Sequence, residues 1–143
     1  MRPILRQVNA ISAWLFVGAI VVQVFLAGSA IAQLGGSGNF QTHMDFGYAI
    51  GIFALIALLA AIGGGLPRRD IGIAFGILLL YFVQTSLPYL KQDLPSVAAL
   101  HPVNAMLLFA ISVWYARRAW RSRSHVVAPT DAGGMSTAGA RAR

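Results

Sequence analysis

The chain has 143 residues, of which 57% are hydrophobic and only 10% charged, and its mean hydropathy is +0.69. A soluble domain carries about 25% charged residues, so this composition cannot cover a water-facing surface and lipid must do so. The length allows one domain. The absence of cysteine excludes disulfides, thiolate metal sites and cysteine nucleophiles. A net charge of +7 points to nucleic acid only where the basic residues form a groove-sized patch, and here they are spread differently.

Residues Met1 to Asn9 read as a short basic lead with Arg2 and Arg6. An apolar run follows from Ala10 to about Leu34, with Gln23 as the one strongly polar side chain in its middle. Roughly 20 apolar residues span a hydrocarbon core of about 30 Å, so this is the first predicted span, over residues 10–34. A second reading exists: Ala30-Ile31-Ala32 before Gln33 has the small-residue pattern of a signal-peptidase site. The run is longer than the usual apolar region of a signal peptide, about 7–15 residues, which favours an uncleaved helix.

Gly35-Gly36-Ser37-Gly38-Asn39 reads as a flexible loop. The second span is expected over residues 46–66, stopped by Gly63-Gly64-Gly65-Leu66-Pro67. Arg68-Arg69-Asp70 reads as a tight charged turn, and the third span runs over 71–90 with Pro88 fraying its end. Lys91 to Pro95 reads as a loop. The fourth span runs over 101–120, where Pro102 suits a first helical turn. Residues 121–143 are rich in Ser, Ala, Gly, Thr and Arg without apolar period and read as a disordered basic tail. His125 lies there and is expected to be solvated.

Four spans place residues 1–9, 67–70 and 121–143 on one side of the membrane. Of the eleven Lys and Arg residues only Lys91 falls on the other. This is a positive-inside pattern, which puts both termini in the cytoplasm and makes the chain a multi-pass protein of the inner (plasma) membrane. The same pattern accounts for the basic balance without nucleic acid. It brings Arg117 to Arg123 to anionic lipid headgroups, with Trp114, Tyr115 and Trp120 as interfacial aromatics.

Polar groups inside spans cost free energy unless paired. Gln23, Gln84, Thr85 and Ser86 are therefore expected to hydrogen-bond between helices, each such bond contributing on average about 0.6 kcal/mol. Gly47 and Gly51, and likewise Gly72 and Gly76, are small-xxx-small pairs. Such pairs let helix backbones approach closely or make room for a flat cofactor.

His43 stands at the start of the second span and His101 at the start of the fourth. Both spans run in the same direction, so both histidines lie near the outer surface at one depth. In an up-down-up-down bundle the second and fourth helices are diagonal. Beneath His43 the same helical face carries Gly47, Ile50, Gly51 and Ala54, and beneath His101 it carries Ala105, Leu108 and Ser112. Small residues Gly47, Gly51 and Ala105 would leave a cavity under two opposed imidazoles, a donor set suited to haem iron. Asp45 could orient His43. On the other reading each histidine is an interfacial cap, and Pro102 biases His101 away from helical geometry.

The segments Val22-Gln23-Val24-Phe25-Leu26-Ala27-Gly28, His43 with Gly47-Tyr48, and Leu100-His101-Pro102-Val103-Asn104-Ala105 resemble those of an uncharacterised family of small bacterial four-span membrane proteins, over Ile11 to Arg118. More remotely, the layout resembles one four-helix half of haem A synthase and the four-helix b-type cytochromes. The resemblance implies haem b held by His43 and His101. The synthase carries a catalytic glutamate just before its first such histidine. Asn39-Phe40-Gln41-Thr42 contains no acid, and there is no second half, which argues against haem A synthesis.

The fold class is therefore all-α, a four-helix transmembrane bundle with both termini cytoplasmic. Two functions follow as expectations: a b-type haem protein for electron transfer or haem handling, with a quinone or a membrane protein as partner, or a cofactor-free accessory subunit of a membrane complex. A channel or transporter is disfavoured, since no charge lies mid-span. No Ser/His/Asp set shares a site, and Gly63-Gly64-Gly65 lacks the lysine of a phosphate loop.

Overall fold

In a computed structural model of the protein, residues 1–33 and 38–123 are described, and all their regular structure is helical. The helices are α1 (Arg2–Ile31), α2 (Gln41–Ala49), α3 (Gly51–Gly63), α4 (Arg68–Ser86), α5 (Pro95–Ala98) and α6 (His101–Ser122), with a 3-10 turn over Leu87–Lys91. They form four segments long and apolar enough to cross a membrane: Arg2–Ile31, Gln41–Gly63, Arg68–Lys91 and Pro95–Ser122. Leu34 to Ser37 and the tail from Ser124, including His125, lie outside the described residues.

The first segment packs against the second and fourth, and the third packs against the same two. The second and fourth are therefore diagonal, as the up-down order requires. Alanines at the contacts let the helices approach closely: Ala10, Ala13, Ala54, Ala57, Ala61, Ala74 and Ala116 are all buried. Phe16, Ile20, Ile77 and Leu108 fill the middle, while Phe25, Phe75, Phe82 and Met106 point outward. Gly72 and Gly76 also stand clear of the other helices, for a Cβ added at either would meet nothing within 4 Å. They serve no close approach within the bundle.

The helices extend past the apolar runs, because nothing in the flanking sequence stops them. Residues read as a basic lead are the first turns of α1, where Pro3 sits harmlessly in the first turn. Asn9 there is 0% exposed. Its Nδ2 donates to Ala57 O and to Tyr115 Oη, both at 2.7 Å. Asp70, read as part of a turn, lies in the first turn of α4 and is buried. Its carboxylate accepts from Arg118 Nε at 2.6 Å and Nη2 at 3.3 Å, joining the third segment to the fourth. The acid also complements the positive end of its helix. The stop after α3 is a glycine-dependent cap: Gly65 has φ +62°, and Leu66 N donates to Ala61 O while Gly65 N donates to Ile62 O, both at 3.0 Å.

The second segment bends at Ile50, between α2 and α3. Phe53 N there donates to Ile50 O, a three-residue bond that tightens the turn. The cause is a side chain set against the helix ladder. Tyr81 Oη donates to Gly47 O at 3.0 Å and Tyr48 O at 2.9 Å, the carbonyls that Gly51 and Ile52 engage in an uninterrupted helix. A Cβ on Gly51 would fall on the Tyr81 ring and hydroxyl. Gly51→Ala is therefore expected to destabilise the protein by about 1–3 kcal/mol, read as a lower unfolding midpoint in detergent. It should cost markedly less in a Tyr81→Ala background, and Gly72→Ala should be close to neutral. Equal effects at Gly51 and Gly72 would disprove the contact.

Candidate functional site

The end of the bundle opposite the termini carries two matched helix pairs. In each, a glutamine late in one segment meets a histidine early in the next. Gln23 Nε2 donates to the His43 main-chain oxygen at 2.6 Å, and His43 Nδ1 lies 3.1 Å from the Gln23 main-chain oxygen. In the second pair, His101 Nδ1 lies 3.0 Å from the Gln84 main-chain oxygen. A carbonyl oxygen can only accept, so each Nδ1 carries a proton, and in the neutral imidazole Nε2 is the nitrogen with the free lone pair. The sequence placed Gln23 and Gln84 as interhelical hydrogen-bonding groups. Both are, and both grip a histidine.

The two rings face each other across the diagonal, with centroids 6.3 Å apart and planes at 70°. Both histidines are half-buried. Phe40 closes one side, its ring edge-on to His43 at 6.0 Å. Despite Pro102, His101 is the first residue of α6, with Leu100 as the cap.

The two pairs differ in what covers the histidine. Gln84 Nε2 lies 3.1 Å from each ring nitrogen of His101. Asn104, one turn on from His101, donates through Nδ2 to Gln84 Oε1 at 2.8 Å and to Leu80 O at 3.1 Å. In the first pair the Gln23 amide reaches the main chain instead, and its Oε1 is buried without a hydrogen-bond partner among the described residues.

The small residues under the histidines have specific occupants. A Cβ at Gly47 would stand 2.5 Å from Gln23 Nε2, so this glycine admits the glutamine. Gly51 is filled by Tyr81. Ala105 lies one turn below His101 and is half-buried. The space expected beneath the imidazoles is thus taken up largely by side chains. Asp45 is exposed and accepts from Gln41 Nε2 at 2.7 Å. The group that orients His43 is the Gln23 carbonyl. Asn104 and Tyr81 were given no role from the sequence. Their signal is spacing, three residues after His101 and three before Gln84, which sets each on the same helical face as its neighbour.

Among the described residues no three His, Cys, Asp or Glu side chains cluster as metal ligands. The donor set at this end is two imidazoles. Residues 23–88 match a family of unknown function (DUF6220), a stretch that takes in Gln23, His43 and Gln84 and ends before His101. No curated protein and no solved structure matches the chain.

Nitrogen-15 spectra of imidazole-labelled protein in detergent should find both histidines as Nδ1–H tautomers at neutral pH. A predominant Nε2–H tautomer at either ring would contradict the carbonyl contacts.

Proposed function

We propose that this chain is a small multi-pass protein of the bacterial plasma membrane that holds haem b between His43 and His101, near the outer face, for electron transfer or haem handling. The observation that carries the reading is the pair of imidazoles facing each other from diagonal helices. Metal–imidazole bonds run about 2.0–2.1 Å, and adding the distance from nitrogen to ring centre on each side gives roughly 6 Å between two axial imidazoles. The separation here is 6.3 Å. Both Nδ1 atoms are tied to main-chain carbonyls, the arrangement that fixes tautomer and orientation in metal-bound histidines. Two donors alone are too few for a tetrahedral ion. They suit an iron that brings its own equatorial ligands.

In this reading His43 and His101 would hold the iron, and the Gln23 and Gln84 carbonyls orient the rings. The haem, when bound, supplies a one-electron centre whose potential the surrounding side chains tune. Every described arginine lies at the end with the termini, while Lys91 lies at the histidine end. That distribution supports cytoplasmic termini and an outer-facing site, open to a quinone or a membrane redox partner.

A second reading, a cofactor-free accessory subunit, is favoured by one observation: Gln23 and Tyr81 already occupy the space at Gly47 and Gly51. Purification in detergent with haem supplied, followed by oxidised and reduced absorption spectra, separates the two. The haem reading expects a b-type band that His43→Ala and His101→Ala each abolish or alter. A wild-type protein without a band favours the accessory reading, and a band indifferent to both changes means other ligands.

A further inference from the structure

The run Gly63-Gly64-Gly65 does more than end α3, for the first turns of α1 lie on it. A Cβ at Gly63 would stand 3.0 Å from Leu5 Cδ1, one at Gly64 3.2 Å from Arg6 Cγ, and one at Gly65 3.8 Å from Arg2 Nε. Arg6 is pinned there, its Nε donating to Gly64 O at 3.1 Å. Arg2 lies beside it, over Gly65, and is exposed. Arg68 opens α4 three residues after Gly65 and is exposed as well. Three residues of chain span at most about 11 Å, within reach of two long side chains. The charge around this turn is one-sided. The arginines gathered at this end meet a single carboxylate among the described residues, Asp70, and Arg118 already holds it. Arg69 and Arg123 lie against the rings of Trp114 and Trp120. Arg2 and Arg68 have neither an acid nor a hydrogen-bond acceptor among the described residues.

We propose that Arg2 and Arg68, set about the Gly64-Gly65 turn, form a docking site for the headgroup phosphate of one anionic phospholipid. The turn lies where the membrane-crossing segments end, at the depth of lipid headgroups. Charge complementarity selects the partner: a guanidinium presents paired donors in a plane that matches a phosphate, and basic pockets between helix ends take anionic headgroups. The site is independent of the haem reading and lies at the opposite end of the bundle from His43 and His101. It also gives the glycine run a use beyond stopping a helix. Gly65 has φ +62°, so the tight turn that brings Arg68 back toward Arg2 depends on it.

The test titrates the full chain in a neutral detergent with phosphatidylglycerol or with phosphatidylcholine, and reads the one-lipid adduct by native mass spectrometry. Phosphatidylglycerol should bind the wild type more tightly than phosphatidylcholine by roughly tenfold or more. An arginine near an anionic headgroup contributes about fivefold in affinity. The double variant Arg2→Gln/Arg68→Gln should therefore bind phosphatidylglycerol roughly 25-fold more weakly. Arg117 and Arg121 are exposed arginines on α6, and Arg117→Gln/Arg121→Gln removes the same charge away from the turn. That control should lose less than about threefold, since charges more than a Debye length of about 10 Å away are screened. Arg68→Gln alone, with an expected loss of about fivefold, serves should the double variant fail to fold. Equal losses in the two double variants would mean diffuse attraction and overturn the site. So would equal affinity for the two lipids. Displacement of the lipid by an equal concentration of inorganic phosphate would overturn the lipid as the source of the phosphate.

Discussion

Polar groups inside an apolar bundle must find their partners within it, since hydrocarbon offers none: Thr85 and Ser86 turn back on carbonyls of their own helix, against the expected interhelical bonds, while the larger groups reach other helices. That constraint sets this structure at both ends. At the histidine end the partners are main-chain carbonyls of Gln23 and Gln84, each accepting from an imidazole on the next segment. The Gln23 carbonyl keeps a second lone pair beside its own ladder, and the Gln84 carbonyl lacks the donor four residues on because residue 88 is proline, so each can take an imidazole proton without loss to the helix. Two rings held in this way cannot turn freely, and their free nitrogens stay fixed in relation to each other.

The terminal end solves the same problem with different groups. Asn9 bridges the second and fourth segments through Ala57 O and Tyr115 Oη, and Asp70 with Arg118 joins the third to the fourth. Between these layers the interior is apolar except for the buried Ser12 and Ser112, and is built on Phe16, Ile20, Ile77 and Leu108. Polar layers at two depths define the register of all four segments: sliding one helix by a turn would strand an amide or a carboxylate in the core. The depth match of His43 and His101 is a consequence of that register. A ligand held between them would sit on a frame fixed from the opposite end of the bundle.

The segments were legible because apolar runs of this length have one structural outcome. The diagonal placement of His43 and His101 followed from counting segments, with no side-chain detail. What escaped was the role of polar residues near the segment ends. Asp70 follows Arg69 and Asn9 closes a lead that holds Arg2 and Arg6, and composition alone reads such stretches as solvated flanks. Their burial depends on Ala57, Tyr115 and Arg118, which lie tens of residues away in the chain. Gly47 and Gly51 suggested a cavity because a glycine marks space without saying what fills it. Here Gln23 and Tyr81 fill it, from the segments on either side. Pro102 suggested that His101 caps its helix, yet His101 is the first helical residue with Leu100 as the cap, so the packing overrides the pre-proline bias.

The paired imidazoles are the centre of the functional reading, and the spin state of bound ferric haem reports on them most directly. Two histidines ligating one iron from opposite faces give a six-coordinate, low-spin electron paramagnetic resonance signal in the wild-type protein at stoichiometric haem. A high-spin signal, which marks an iron with only one strong axial ligand, would contradict ligation by both His43 and His101.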